Sequence, residues 1–155
     1  MDARTAGLPG DRYRSTEFCG PGEKWSAPVQ VNDDNVPGNF TNGASDFFPS
    51  EAIDPKSGAL HVTFYSTRLD STNQTTNAYD AVSTNGGASF STNHRITDKS
   101  SNESAANGGR DKVMNYGDWE DVAMQGNVEH LVWIDTRKAS SLQEEVFTAA
   151  VGGQR

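Results

Sequence analysis

A single cysteine, Cys19, stands among the 155 residues, so no disulfide can form within the chain. No apolar run approaches the length that spans a bilayer. Met1 to Gly10 lack the apolar core of a secretory signal. Positive charge is scarce: 13 Lys and Arg against 21 Asp and Glu leave a formal net charge of −8. That balance provides no basic patch to recruit nucleic acid or an anionic membrane. Apolar residues are few as well, at 34%, and the mean hydropathy is −0.70. What is abundant is Gly, Ser, Thr and Asn, the composition of an all-β protein with many turns. Aromatic and β-branched residues gather in short strand-like runs, which argues against a fully disordered chain, and nothing calls for a helix.

Two of these runs echo each other. His61-Val62-Thr63-Phe64-Tyr65-Ser66-Thr67-Arg68 returns as His130-Leu131-Val132-Trp133-Ile134-Asp135-Thr136-Arg137, offset by 69 residues without a gap. His, Thr and Arg recur identically. Upstream, Asp46-Phe47-Phe48-Pro49-Ser50-Glu51-Ala52-Ile53 parallels Asp118-Trp119-Glu120-Asp121-Val122-Ala123-Met124. Downstream, Ala78-Tyr79-Asp80-Ala81-Val82 parallels Glu145-Val146-Phe147-Thr148-Ala149-Ala150. Each unit is thus three strand-like runs in one order, and the first adds a fourth at His94-Arg95-Ile96-Thr97. A repeated unit of this size cannot bury its own apolar face and must stack on a copy of itself.

Along the chain, residues 1–24 form a loose segment rich in Gly, Pro and charge. Trp25 to Val31 reads as a strand. Asn32 to Ser45 carries turn chemistry throughout. Strands follow at 47–53, 60–65 and 78–83, the first two joined by the compact turn Asp54-Pro55-Lys56-Ser57-Gly58. A long polar loop near 98–117 separates the units, and residues 119–150 repeat the pattern around the shorter turn Gln125-Gly126-Asn127. Asn39-Phe40-Thr41, Asn73-Gln74-Thr75 and Asn102-Glu103-Ser104 match the glycosylation triplet, which arises readily by chance in such a composition.

The sharpest local signal is Ser83-Thr84-Asn85-Gly86-Gly87-Ala88-Ser89-Phe90. Its Asx side chain can accept hydrogen bonds from turn amides. Gly86 and Gly87 tolerate left-handed backbone, and Phe90 returns to pack beneath the turn. The segment resembles the Asp-box, or bacterial neuraminidase repeat, of the sialidase-like β-propellers, with Asn85 where the family has Asp. A degenerate copy ends at Trp25. The resemblance covers residues 25–155. It implies an all-β fold, a fragment of a six-bladed β-propeller with antiparallel four-stranded blades, of which this chain supplies about two. Ser83, Asn85, Gly87 and Phe90 would be structural residues at a blade's periphery.

The same resemblance implies a role related to exo-acting glycoside hydrolases that act on sialosides, in a secreted or cell-envelope setting. A propeller works around its central channel, which makes Asp46, Glu51, Asp118, Glu120 and Asp121 candidates for chemistry and Arg68 and Arg137 candidates for clamping a substrate carboxylate. Sialidases add an Asp acid and a Tyr–Glu nucleophile pair. Here the Arg-Ile-Pro type segment that supplies a sialidase's first arginine is absent, and no Tyr–Glu pair can be placed. Arginines at repeated positions suit structural ion pairs, with Asp70 or Asp135 as partners, and the acids suit turn and cap roles. The reading is therefore a propeller segment that is not catalytic on its own. The alternative is a non-catalytic module binding a glycan, glycoprotein or other protein.

No cofactor is expected. Asp33-Asp34-Asn35 offers oxygen to Ca²⁺ but lacks the spaced pattern of a dedicated loop. His61 and His130 occupy equivalent places in separate units, which favours packing over a shared metal. Cys19 has no base nearby in sequence to activate it. Two blades leave open edges, so they belong with the remaining blades of a larger chain, close a ring by self-association, or persist as an open stack.

Overall fold

The computed structural model describes residues 26–34, 43–102, 120–137 and 145–152. Residues 1–25, with Cys19 and Trp25, residues 35–42, with Asn35 and Asn39, and residues 103–119, with Asp118 and Trp119, lie outside them. The described residues are all-β. They form two antiparallel meanders, and neither sheet closes on itself. The first contains β1 (Asp46–Ile53), β2 (Leu60–Ser66), β3 (Asn77–Ser83) and β4 (His94–Arg95), in that order across the sheet. The second contains β5 (Asp121–Gln125), β6 (Val128–Asp135) and β7 (Glu145–Gly152), again in chain order. No helix among the described residues is long and apolar enough to cross a membrane.

The two echoed segments are β2 and β6, each the second strand of its own sheet. Residues 26–31 carry no strand, contrary to the alternation of Val29 and Val31. They lie at the margin of the first sheet, where Val31 packs against Phe64, Tyr79 and Ala81. The fourth strand is also shorter than its apolar pattern suggests, at two residues.

Turn chemistry explains the strand ends. Gly126 and Asn127 have φ of 58° and 67° and join Gln125 directly to Val128. Two successive positive φ values make the two-residue hairpin whose twist matches that of the strands. Between β1 and β2, the Asp54 carboxylate accepts from the Lys56 amide at 3.0 Å and the Ser57 amide at 3.2 Å, and Gly58 supplies φ of 74°. In β1 the register slips between Phe47 and Ser50, with Phe48 at φ 51° beside Pro49. Proline has no ladder donor, so an edge strand and a bulge are where it fits.

Period-2 alternation assigns the faces. From β2, His61, Thr63 and Tyr65 look toward the second sheet. From β6, Glu129, Leu131, Trp133 and Asp135 look back. The shared core comprises Tyr65, Ala78, Val122, Leu131 and Trp133, with Phe47, Ala52, Phe147 and Ala149 around it. β1 runs beside β5, joined by the Ser50 hydroxyl donating to Asp121 at 3.2 Å. The opposite face of β2, carrying Phe64, forms a second cluster with Tyr79, Ala81 and Phe90.

One hydroxyl bridges the sheets. Tyr65 donates to the Ile134 carbonyl at 2.9 Å and accepts from the Ile134 amide at 3.0 Å. The β5–β6 ladder ends at Asp121 and Val132, so past that point β6, still paired with β7 on its other side, has no strand on its β5 side among the described residues, and the phenol takes that place. Removing that oxygen leaves a donor and an acceptor without this partner, at about 1–3 kcal/mol. Tyr65→Phe is expected to lower unfolding free energy by that amount in urea titrations. Leu131→Ala, at the centre of the same interface, is expected to lower it by about 2–5 kcal/mol.

Candidate functional site

Arg68 and Arg137 occupy matching surroundings. The Arg68 guanidinium lies 4.2 Å from the Tyr79 ring centroid and 5.7 Å from that of Phe64. That of Arg137 lies 4.3 Å from Phe147 and 5.7 Å from Trp133. In each, Nε donates to an oxygen two residues back, Ser66 Oγ at 3.0 Å and Asp135 Oδ2 at 2.6 Å. In each, Nη1 donates to an acid from the preceding segment, Asp33 Oδ1 at 2.6 Å and Asp98 Oδ1 at 2.5 Å. Val31-Asn32-Asp33 and Ile96-Thr97-Asp98 therefore play the same part in successive units. Guanidinium suits this role because its plane stacks on a ring while its edge donates.

The threonines before these arginines also act alike. Thr67 Oγ1 accepts from the Ser45 amide at 2.8 Å, and Thr136 Oγ1 from the Asn102 amide at 3.1 Å. Of the two acids proposed as arginine partners, Asp135 is one. Asp70 is not: it closes its own loop. The Thr72 hydroxyl and amide are the main groups holding the Asp70 carboxyl below its ordinary range. Asp98 is likewise held low, first by its hydrogen bond from Arg137.

A different set of residues meets between the sheets. His61 Nδ1 stands 3.4 Å from Glu129 Oε2 and 3.6 Å from Asp80 Oδ1. Asp80, on β3, and Glu129, on β6, are fully buried. Glu120, just before β5, is 8% exposed. Burial pushes its carboxyl up to about 9, opposed by the Thr63 hydroxyl and reinforced by the charge of Glu129. A cavity of about 370 Å³ opens beside this group, lined by His61, Glu129, Asp54, Ser57, Thr84 and Asn127 among others.

The remaining candidates scatter. Asp46 begins β1, accepts from Asn32 Nδ2 at 2.7 Å and lies 3.8 Å from Arg68; partial burial raises its carboxyl. Glu51 is exposed opposite Val62. Asp118 lies outside the described residues. Asp33 and Asp34, weighed for Ca²⁺, are engaged by Arg68, Asn93 and Asn32. His130 is exposed on the outer face of the second sheet, away from His61's partners.

Asp80 and Glu129 were not singled out from sequence. The available signal was a departure from the repeat: Glu129 stands where the first unit has Leu60, and Asp80 where the second has Thr148.

At the periphery, Ser83 and Asn85 knit the β3–β4 turn. The Ser83 hydroxyl donates to Asn85 Oδ1 at 2.9 Å and accepts from the Gly87 amide at 2.9 Å. Asn85 Oδ1 also accepts from the Ser89 amide at 3.0 Å, and its Nδ2 donates to Ser89 Oγ at 2.8 Å. Gly86 and Gly87 take φ of 71° and 82°. Phe90 packs below, against Phe64, Tyr79 and Ala81. Comparison with protein-family models and with curated proteins finds no match for the chain.

Glu120 links the interface to pH. The folded chain keeps this carboxyl protonated up to about 9, while the unfolded chain releases the proton near 4.5. Between those values the native state binds more protons, so its stability falls as pH rises. The contribution is fully present below the lower value and lost above the upper one. Unfolding free energy is expected to decline by up to about 1.4 kcal/mol per pH unit across that window, and Glu120→Gln should flatten the profile. Parallel profiles for the two proteins would contradict the assignment.

Proposed function

We propose that the chain is a segment of a sialidase-like β-propeller whose blades act as scaffold and binding surface, not as a hydrolase. The observation that carries this reading is the matched treatment of Arg68 and Arg137. A substrate clamp needs guanidinium edges open to a carboxylate. Here both side chains are largely covered, at 13% and 14% exposure, and both spend their donors on neighbouring acids. Used twice in the same way, the arginine is a joint between one unit and the next.

The direction of stacking supports the propeller. The β6 face carrying Leu131 and Trp133 meets the first sheet, and the equivalent β2 face carrying Val62 and Phe64 meets residues 26–34. Each sheet thus receives its predecessor on the same face. Such head-to-tail contacts generate rings when the rotation closes. The outer face of the second sheet presents Val132 at 38% and Val146 at 71% exposure. Their counterparts Thr63 and Ala78 are buried in the first sheet. A further like sheet, from a longer chain or a second copy, would cover them. In that assembly a glycan or glycoprotein would be bound at the cell envelope or outside the cell.

The expected outcome with a fluorogenic sialoside is no turnover by the purified chain, together with retention on a glycan array. Turnover that disappears in both Arg68→Ala and Arg137→Ala would overturn the proposal and restore a hydrolase.

A further inference from the structure

We propose that His61, Asp80 and Glu129 form a binding site for a divalent transition-metal ion of the zinc class. One ligand atom from each of three strands, drawn from both sheets, falls in a group with all atoms within 4.8 Å of one another. The separations around the imidazole are informative. At 3.4 and 3.6 Å they exceed the usual N–H···O length of about 2.7–3.2 Å. They match the edge of a tetrahedron, about 3.4 Å, for ligands about 2.1 Å from a central zinc ion.

Donor chemistry points the same way. Two fully buried carboxylates and one imidazole supply the oxygen and nitrogen ligands that zinc takes. The imidazole selects against Ca²⁺ and Mg²⁺, which prefer all-oxygen shells. Three protein ligands leave a fourth position open, and the cavity of about 370 Å³ that His61 and Glu129 line gives an ion and a water a way in.

The test uses the whole purified chain after chelator treatment. Calorimetric titration with Zn²⁺ alone should show one equivalent bound and a raised melting temperature. Co²⁺ should give the intense visible bands of a low-coordinate centre. His61→Ala and Glu129→Gln should each weaken Zn²⁺ binding at least about tenfold, and His130→Ala should leave it unchanged. Binding abolished by His130→Ala but kept in His61→Ala would overturn the site, as would preference for Ca²⁺ or Mg²⁺. If either ligand variant fails to fold, the Co²⁺ spectrum of the unmodified chain decides, because absence of those bands means that the three side chains hold no transition metal.

Discussion

Neither sheet can bury its own faces, and everything else in the structure answers to that constraint. Each strand of a meander puts alternate residues on opposite sides, so a sheet with apolar residues on both sides needs a neighbour on both. The first sheet has them: the second sheet covers one face, and residues 26–34 partly cover the other. Leu131, Ala78 and Val122 make the middle of the interface apolar. Its ends are polar, with the His61 group at one and the Tyr65 hydroxyl at the other.

Polar ends solve a main-chain problem. Strands of unequal length leave amides and carbonyls beyond the ladder, and a buried group of that kind must find a partner. Tyr65 provides one for Ile134. Thr67 and Thr136 receive the incoming segment of their own units in the same manner. Arginine then seals each corner by stacking on an aromatic pair and holding an acid from the unit before it. The recurrence of Thr and Arg reflects this joint. It gives the two arginines the same surroundings in both units, while burial holds the Glu120 carboxyl neutral.

The legibility of these features in the sequence was uneven. The strands at 47–53, 60–65 and 78–83 were visible within a residue or so, because alternation and turn residues are local signals. The Asn85 turn was legible for the same reason, since its donors and acceptors lie within a few residues. The strand expected at 25–31 was not formed in the described part: Val29 and Val31 alternate correctly, but Val31 packs at the sheet margin without a ladder partner. By sequence position Asp70 and Asp135 are equal candidates as arginine partners. Asp70's own loop amides, closer in sequence, claimed it.

What the amino-acid order determined alone was most of the strand pattern and the residues that repeat, since period, turn chemistry and internal echo are properties of neighbours along the chain. Which residues meet across the interface was decided only by the tertiary structure. Asp80 and Glu129 reach His61 because one sheet lies on the other in a particular register, a relation between residues as far apart as 61 and 129 that no local pattern encodes. Glu120's neutrality has the same origin: burial is conferred by the opposing sheet, and nothing in its flanking sequence announces it.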